Sequence, residues 1–90
     1  MAPIRPSNLL YHELIGLEVK LLSSPNLAEL GIRGRVIYET KNMLVIRTSK
    51  GDVRVPKDKR LFLFRLPGGK RVIVLGDKIV GRPEERVKRS

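Results

Sequence analysis

Gly31-Ile32-Arg33-Gly34-Arg35-Val36-Ile37-Tyr38-Glu39-Thr40-Lys41-Asn42-Met43-Leu44-Val45-Ile46-Arg47-Thr48 reads as two strands joined by a tight hairpin. In its first half Ile32, Gly34, Val36 and Tyr38 share one face, and Arg33, Arg35, Ile37 and Glu39 share the other, which is mixed and basic. Lys41-Asn42 fits a two-residue turn because Asn tolerates positive φ. The alternation extends in both directions. Upstream, Leu17, Val19 and Leu21 alternate with Glu18 and Lys20, the signature of a half-buried strand. Ser23 to Asn26 then breaks the pattern, with room for one helical turn before Leu30. Downstream, Lys50-Gly51-Asp52 turns into Val53-Arg54-Val55, and Pro56 belongs at a strand end or sheet edge. Residues 61–66 are apolar on both faces, as in a central strand covered on both sides. Pro67-Gly68-Gly69-Lys70 is a strong turn, residues 72–75 form a last full strand, and Asp77 to Val80 could add a short one.

The ends read differently. Residues 7–16 begin with capping residues, place Leu10, Leu14 and Tyr11 on one face and stop at Gly16, which predicts a short helix. In the terminal stretch Pro83, Glu84 and Glu85 precede Arg86, Lys88 and Arg89, an order that suits a helix dipole. The fold class expected is therefore all-β, a small antiparallel barrel of about six strands with short N- and C-terminal helical segments, since closure protects sheet edges. Residues 1–8 are expected to be a flexible lead, residues 9–81 the barrel domain with its leading helix, and residues 82–90 a basic C-terminal segment. With 90 residues, of which 41% are hydrophobic, one core is all the chain can build. It is expected to be monomeric in isolation. No Cys and a single His exclude disulfides, thiolate metal sites and multi-histidine cages, so no cofactor is expected on this chain. No apolar run approaches the roughly 20 residues that span a bilayer, and residues 1–6 lack the apolar stretch of a secretory signal. No membrane association and a cytoplasmic location are expected.

Nineteen Lys and Arg against nine Asp and Glu leave a formal net charge of +10. Self-repulsion on that scale in so small a domain points to a polyanionic partner, nucleic acid above all. Lys57, Lys59, Arg60, Lys70 and Arg71 crowd turns and strand ends, where long side chains reach a phosphate backbone freely, and are the first RNA-binding candidates. Arg47, Arg54, Lys88 and Arg89 join them. Two Tyr and two Phe are too few for a repeated base-stacking platform, so contact with phosphates is expected to dominate over base reading. Catalysis finds little support. His12 and Glu13 are adjacent, Asp52 and Asp58 suit turns, and Gly68-Gly69-Lys70 lacks the full phosphate-loop spacing.

Several strings, taken together and in order, carry a resemblance: residues 12–17 (HELIGL), 24–26 (SPN), 31–36 (GIRGRV), 39–46 (ETKNMLVI) and 81–89 (GRPEERVKR). They resemble the protein component 1 family of archaeal ribonuclease P over nearly the whole chain, departing from its usual pattern at Tyr38 and Met43. The resemblance implies an Sm-like barrel with flanking terminal segments. It also implies a subunit of the ribonucleoprotein that removes the 5′ leader from precursor tRNA, where the RNA performs magnesium-assisted hydrolysis and the protein is not itself an enzyme. Its partners would be the ribonuclease P RNA, a zinc-ribbon protein subunit and other protein subunits of the holoenzyme. The zinc-ribbon subunit would dock on residues 9–17, 31–39 and 82–89, which nominates Leu10, Leu14, Arg33, Arg35, Ile37, Arg82 and Arg86. A ribosomal or RNA-chaperone barrel shares the charge and strand pattern but does not call for these strings. A peptide-binding barrel would need more aromatic side chains.

Overall fold

A computed structural model of the chain describes residues 9–82 and residue 86. Six strands follow one another: β1 (Glu18–Ser23), β2 (Arg33–Glu39), β3 (Met43–Thr48), β4 (Gly51–Pro56), β5 (Leu61–Arg65) and β6 (Arg71–Leu75). All neighbours are antiparallel, in the spatial order β4-β3-β2-β1-β5-β6. The single sheet bends around a core of Val19 and Leu21 from β1, Val36 from β2, Leu44 and Ile46 from β3, Val55 from β4, Phe62 and Phe64 from β5 and Val74 from β6. Burying each large aliphatic or aromatic side chain contributes about 1.5–3 kcal/mol, so this inner face drives the fold. Pro56, which cannot donate to a ladder, ends the edge strand β4 as expected.

Where the terminal helices were expected, the structure has less. Leu9–Tyr11 forms one 3-10 turn, and the chain then runs irregularly to β1 with Leu14 and Leu17 plugged into the core. The predicted C-terminal helix and the flexible lead fall outside the described residues, apart from Arg82 and Arg86. Asp77 to Val80 is not a strand either, because Gly76–Ile79 makes a 3-10 turn that buries Ile79. The loop after β1 does hold the expected helical turn, Leu27–Glu29, capped by Asn26, whose side chain accepts from the amide of Ala28 at 3.0 Å. At Lys41-Asn42 neither residue takes positive φ. Instead the Thr40 hydroxyl accepts from the Met43 amide at 3.0 Å and closes the turn.

The main departure from simple alternation lies in β2. Val36 pairs with Ile46, but the next partners are Tyr38 with Val45 and Glu39 with Leu44, so Ile37 is an extra residue. A bulge of this kind reverses which side chains face inward beyond it. Arg33 and Arg35 stay outside, whereas Glu39, expected on their face, points into the core.

Gly34 shows why β2 needs a glycine. A Cβ there would lie 2.0 Å from the backbone oxygen of Arg47 and 3.1 Å from Cγ2 of Ile46. The obstacle is main chain of β3, which cannot swing aside. Gly34→Ala is therefore expected to destabilise the fold by about 1–3 kcal/mol, as forced overpacking does, and urea unfolding would measure it.

Candidate nucleic-acid interface

The register of the sheet lines up one charged row across all six strands. Arg71 on β6 stands opposite Arg65 on β5, which stands opposite Glu18 on β1. Glu18 in turn faces Arg35 on β2, Arg35 faces Arg47 on β3, and Arg47 faces Asp52 on β4. Strands in a sheet lie about 4.8 Å apart, so Arg71 and Arg47 are roughly 19 Å from each other measured along the sheet. Two residues along the strands a second row runs Ile73, Leu63, Lys20, Arg33. Side chains two apart on a strand share a face, so both rows decorate the outer surface.

Between these rows lies an open groove of about 760 Å³, lined by Lys20, Arg33, Arg35, Arg65 and Arg71 together with Glu18, Leu63 and the turn residues Ser49 and Gly69. Among the described residues five cations thus share one concavity with a single carboxylate. Glu18 reaches two of them, its Oε1 lying 3.4 Å from Arg35 and its Oε2 3.6 Å from Arg65. Arg35 is also anchored by donating to the Gly16 carbonyl at 2.7 Å. Among the described residues Lys20, Arg33 and Arg71 have no carboxylate partner. Low-dielectric walls and same-sign charge concentrate the field inside such a groove, which suits a polyanion.

The candidates nominated from sequence divide accordingly. Arg71 lines the groove, with Lys70 exposed beside it. Arg33 and Arg35, nominated for a protein partner, lie in the groove among the prospective RNA contacts. Arg47 continues the charged row, but its Nε donates to Asp52 at 3.1 Å. Arg54 is exposed on β4, in register with Val45 and outside the groove. Lys59 is exposed in the turn before β5, held at φ 59° while its amide donates to the Asp77 carboxylate at 2.8 Å. Arg60 is largely covered, its Nε 2.8 Å from Glu29 Oε1. That hydrogen bond is the main reason the Glu29 carboxyl titrates below its ordinary value, with Ser24 donating to the same oxygen. Lys88 and Arg89 lie outside the described residues.

Lys57 requires a correction. Its side chain is 0% exposed, and its ammonium donates to Glu39 Oε2 at 2.8 Å and to the Gly81 carbonyl at 2.9 Å, so it cannot touch RNA. Burial lowers its pKa from the ordinary lysine value, although the bond to Glu39 opposes the shift. Arg86 enters the same cluster. Its Nη1 lies 2.6 Å from Glu39 Oε2 and also donates to the carbonyls of Gly81 and Ile79. Its Nε donates to the Leu10 carbonyl at 2.7 Å and its Nη2 to the His12 carbonyl at 2.9 Å. Glu39 Oε1 accepts from the Leu14 amide at 3.2 Å. Arg86 is thus an internal clasp and not an exposed docking residue. Leu14, fully buried, is likewise not a contact surface, and Leu10 packs half-buried against the core. Ile37 is half-buried at the bulge, and Arg82 is exposed where the C-terminal segment begins.

Lys20 and Arg65 were not among the nominated residues. Each is one cation in an otherwise ordinary strand, and only the β1–β5 and β1–β2 registers bring them beside Arg33, Arg35 and Arg71. Among the described residues no catalytic constellation accompanies the groove. The ring of His12 donates through Nδ1 to the carbonyl of Glu13 at 2.8 Å, and the described residues contain no group of three His, Cys, Asp or Glu able to hold a metal.

Residues 7–89 match the family model described as ribonuclease P/MRP, subunit p29. A Methanocaldococcus jannaschii protein named ribonuclease P protein component 1 is 51% identical, over 97% of this chain and 92% of its own. The protein of the same name from Methanosarcina acetivorans is 47% identical, over 94% of this chain and 86% of its own. A solved structure, Mth11, described as a homologue of human RNase P protein Rpp29, superposes with a TM-score of 0.61 at 45% identity, covering 84% of this chain and 99% of that one. The fold is accordingly the Sm-like barrel anticipated from the sequence strings.

Proposed function

The chain belongs to the ribonuclease P/MRP subunit p29 family, and from that membership we propose that it works as a non-catalytic, phosphate-neutralising protein component of ribonuclease P. The complex removes the 5′ leader of precursor tRNA in the cytoplasm, its RNA holding the magnesium ions of the hydrolytic step. The observation that carries this reading is the groove in which Lys20, Arg33, Arg35, Arg65 and Arg71 converge with one carboxylate. Folded RNA packs phosphates closely, and cations fixed on a rigid sheet lower that repulsion without reading bases. Magnesium otherwise performs the same screening, so the protein reduces the magnesium concentration at which the RNA adopts its active shape.

The zinc-ribbon subunit docks, in this reading, on the other outward surface, formed by the segment around Leu10, the β2 bulge at Ile37 and the C-terminal segment from Arg82. Exposed Ile15 and Tyr38 beside that surface supply apolar area. The Arg86 clasp supports the arrangement because it ties the Leu10 and His12 carbonyls to the C-terminal segment, so the two ends of the chain are presented together.

Reconstituting precursor-tRNA cleavage from the RNA and protein subunits, with and without this chain, tests the proposal across magnesium concentrations. The expected result is a lower magnesium midpoint when the chain is present and no cleavage by the chain alone. Superimposable magnesium curves would remove the proposed function.

A further inference from the structure

Glu18 stands in the middle of the cationic row, and its placement is unlike that of every other carboxylate described. It is the one acidic residue among the described residues that line the groove, flanked in register by Arg35 on one side and Arg65 on the other. One oxygen turns toward each guanidinium, at 3.4 and 3.6 Å. A well-made charged hydrogen bond between such groups is about 2.7–2.9 Å, so both contacts are loose. The first is not needed to hold Arg35, which the Gly16 carbonyl already fixes at 2.7 Å. Both pairs are about half exposed, and ion pairs of that kind add little to stability. A strut would be expected to sit tighter.

We infer that Glu18 is a built-in phosphate surrogate: in the free protein its carboxylate occupies the place between Arg35 and Arg65 that an RNA phosphate takes in the complex. The inference rests on the groove being the RNA-binding site. Two oxygens shared between two guanidiniums is the arrangement a bridging phosphate would make, and a carboxylate in that position relieves the repulsion between the two cations while the groove is empty. On binding, a phosphate must displace or outcompete it. Lys20, Arg33 and Arg71, which have no such partner among the described residues, provide the initial attraction. Glu18 therefore restrains affinity and favours closely spaced phosphates, which engage several cations at once, over isolated anions.

The test compares Glu18→Gln with the unmodified chain in binding to the ribonuclease P RNA, at several salt concentrations. Glu13→Gln serves as the control, because Glu13 is exposed, lies outside the groove and changes net charge equally. Glu18→Gln is expected to tighten binding about threefold to tenfold beyond the control, with little change in the slope of log affinity against log salt, because the same phosphates are contacted with and without the carboxylate. Thermal unfolding of both variants should match that of the unmodified chain. Equal binding by the two variants, or weaker binding by Glu18→Gln, would overturn the inference. Arg33→Glu separates the two levels of the account. If it too leaves binding unchanged, the groove is not the RNA site. If it weakens binding while Glu18→Gln also weakens it, the groove binds RNA and Glu18 is a strut.

Discussion

Glutamine in place of Glu39 is expected to cost about 3–5 kcal/mol of folding stability, the usual penalty for stripping the counter-ion from buried charge. Among the described residues Glu39 is the sole carboxylate in contact with Lys57 and Arg86, which are both enclosed in the fold. Glutamine keeps the shape and one oxygen but removes the negative charge, leaving an ammonium and a guanidinium together without an anion. The amide NH2 would also confront two groups that can only donate. Lys57→Met makes the informative contrast. It leaves a one-to-one Glu39–Arg86 pair, and the Gly81 carbonyl keeps Arg86 as a donor, so the expected cost is below about 1.5 kcal/mol. Urea unfolding of both variants measures the asymmetry. The Glu39→Gln loss also has a direction in pH. Burial already sets the folded pKa of Lys57 below its value in the unfolded chain, and losing Glu39 removes the bond that opposed this shift. Between the folded pKa and the ordinary value of 10.5 the unfolded state binds more protons, so stability rises with pH there. The deficit of Glu39→Gln should therefore shrink as pH rises from the variant's folded Lys57 pKa to the higher one of the unmodified chain, and stay level from there to 10.5, where both gain stability in parallel.

Reversing two groove charges, Arg33→Glu with Arg65→Glu, is expected to weaken binding of the ribonuclease P RNA about a hundredfold at roughly 50 mM salt. Counterion release makes each neutralised phosphate worth about one order of magnitude under that condition, and two contacts are removed. Both side chains are on the outer face of the sheet, so the core is untouched. The matched control is Lys41→Glu with Lys78→Glu, two exposed cations outside the groove with the same change in net charge. Filter binding or fluorescence anisotropy on both double variants should show a much smaller loss for the control. Equal losses would mean that overall charge, not the groove, holds the RNA.

The β-architecture was legible because β1 alternates cleanly and because Pro67-Gly68-Gly69 has only one good use, a turn between strands. Residues 61–66, expected to be covered on both faces, are not: Phe62 and Phe64 are buried, but Leu61 and Leu63 are only half-buried, and Leu63 lines the open groove. Gly34 in a strand signalled a crowded position, but that the crowding comes from the main chain of β3 depends on how closely the strands cross. The bulge at Ile37 was not legible. An inserted residue leaves no mark in composition, yet it turns Glu39 inward and so decides the fate of Lys57 and Arg86. Lys57 looked like a surface cation among Lys59 and Arg60, and its burial follows from a carboxylate 18 positions away. The groove was half legible. Its charges were visible as an excess, but the register that aligns Arg71, Arg65, Glu18 and Arg35 belongs to the folded sheet. Arg33 and Arg35 were therefore separated from Arg71 in the reading of the sequence, although the three share one concavity.

The most direct measurement of the central claim is the slope of log affinity against log salt for this chain and the ribonuclease P RNA, taken alongside the Arg33→Glu, Arg65→Glu double variant. Five groove cations acting on phosphates predict a slope of about −3.5 to −4.5, reduced in magnitude by about 1.4–1.8 in the double variant. A slope near zero, or one that the double variant leaves unchanged, would contradict an electrostatic groove as the basis of RNA binding.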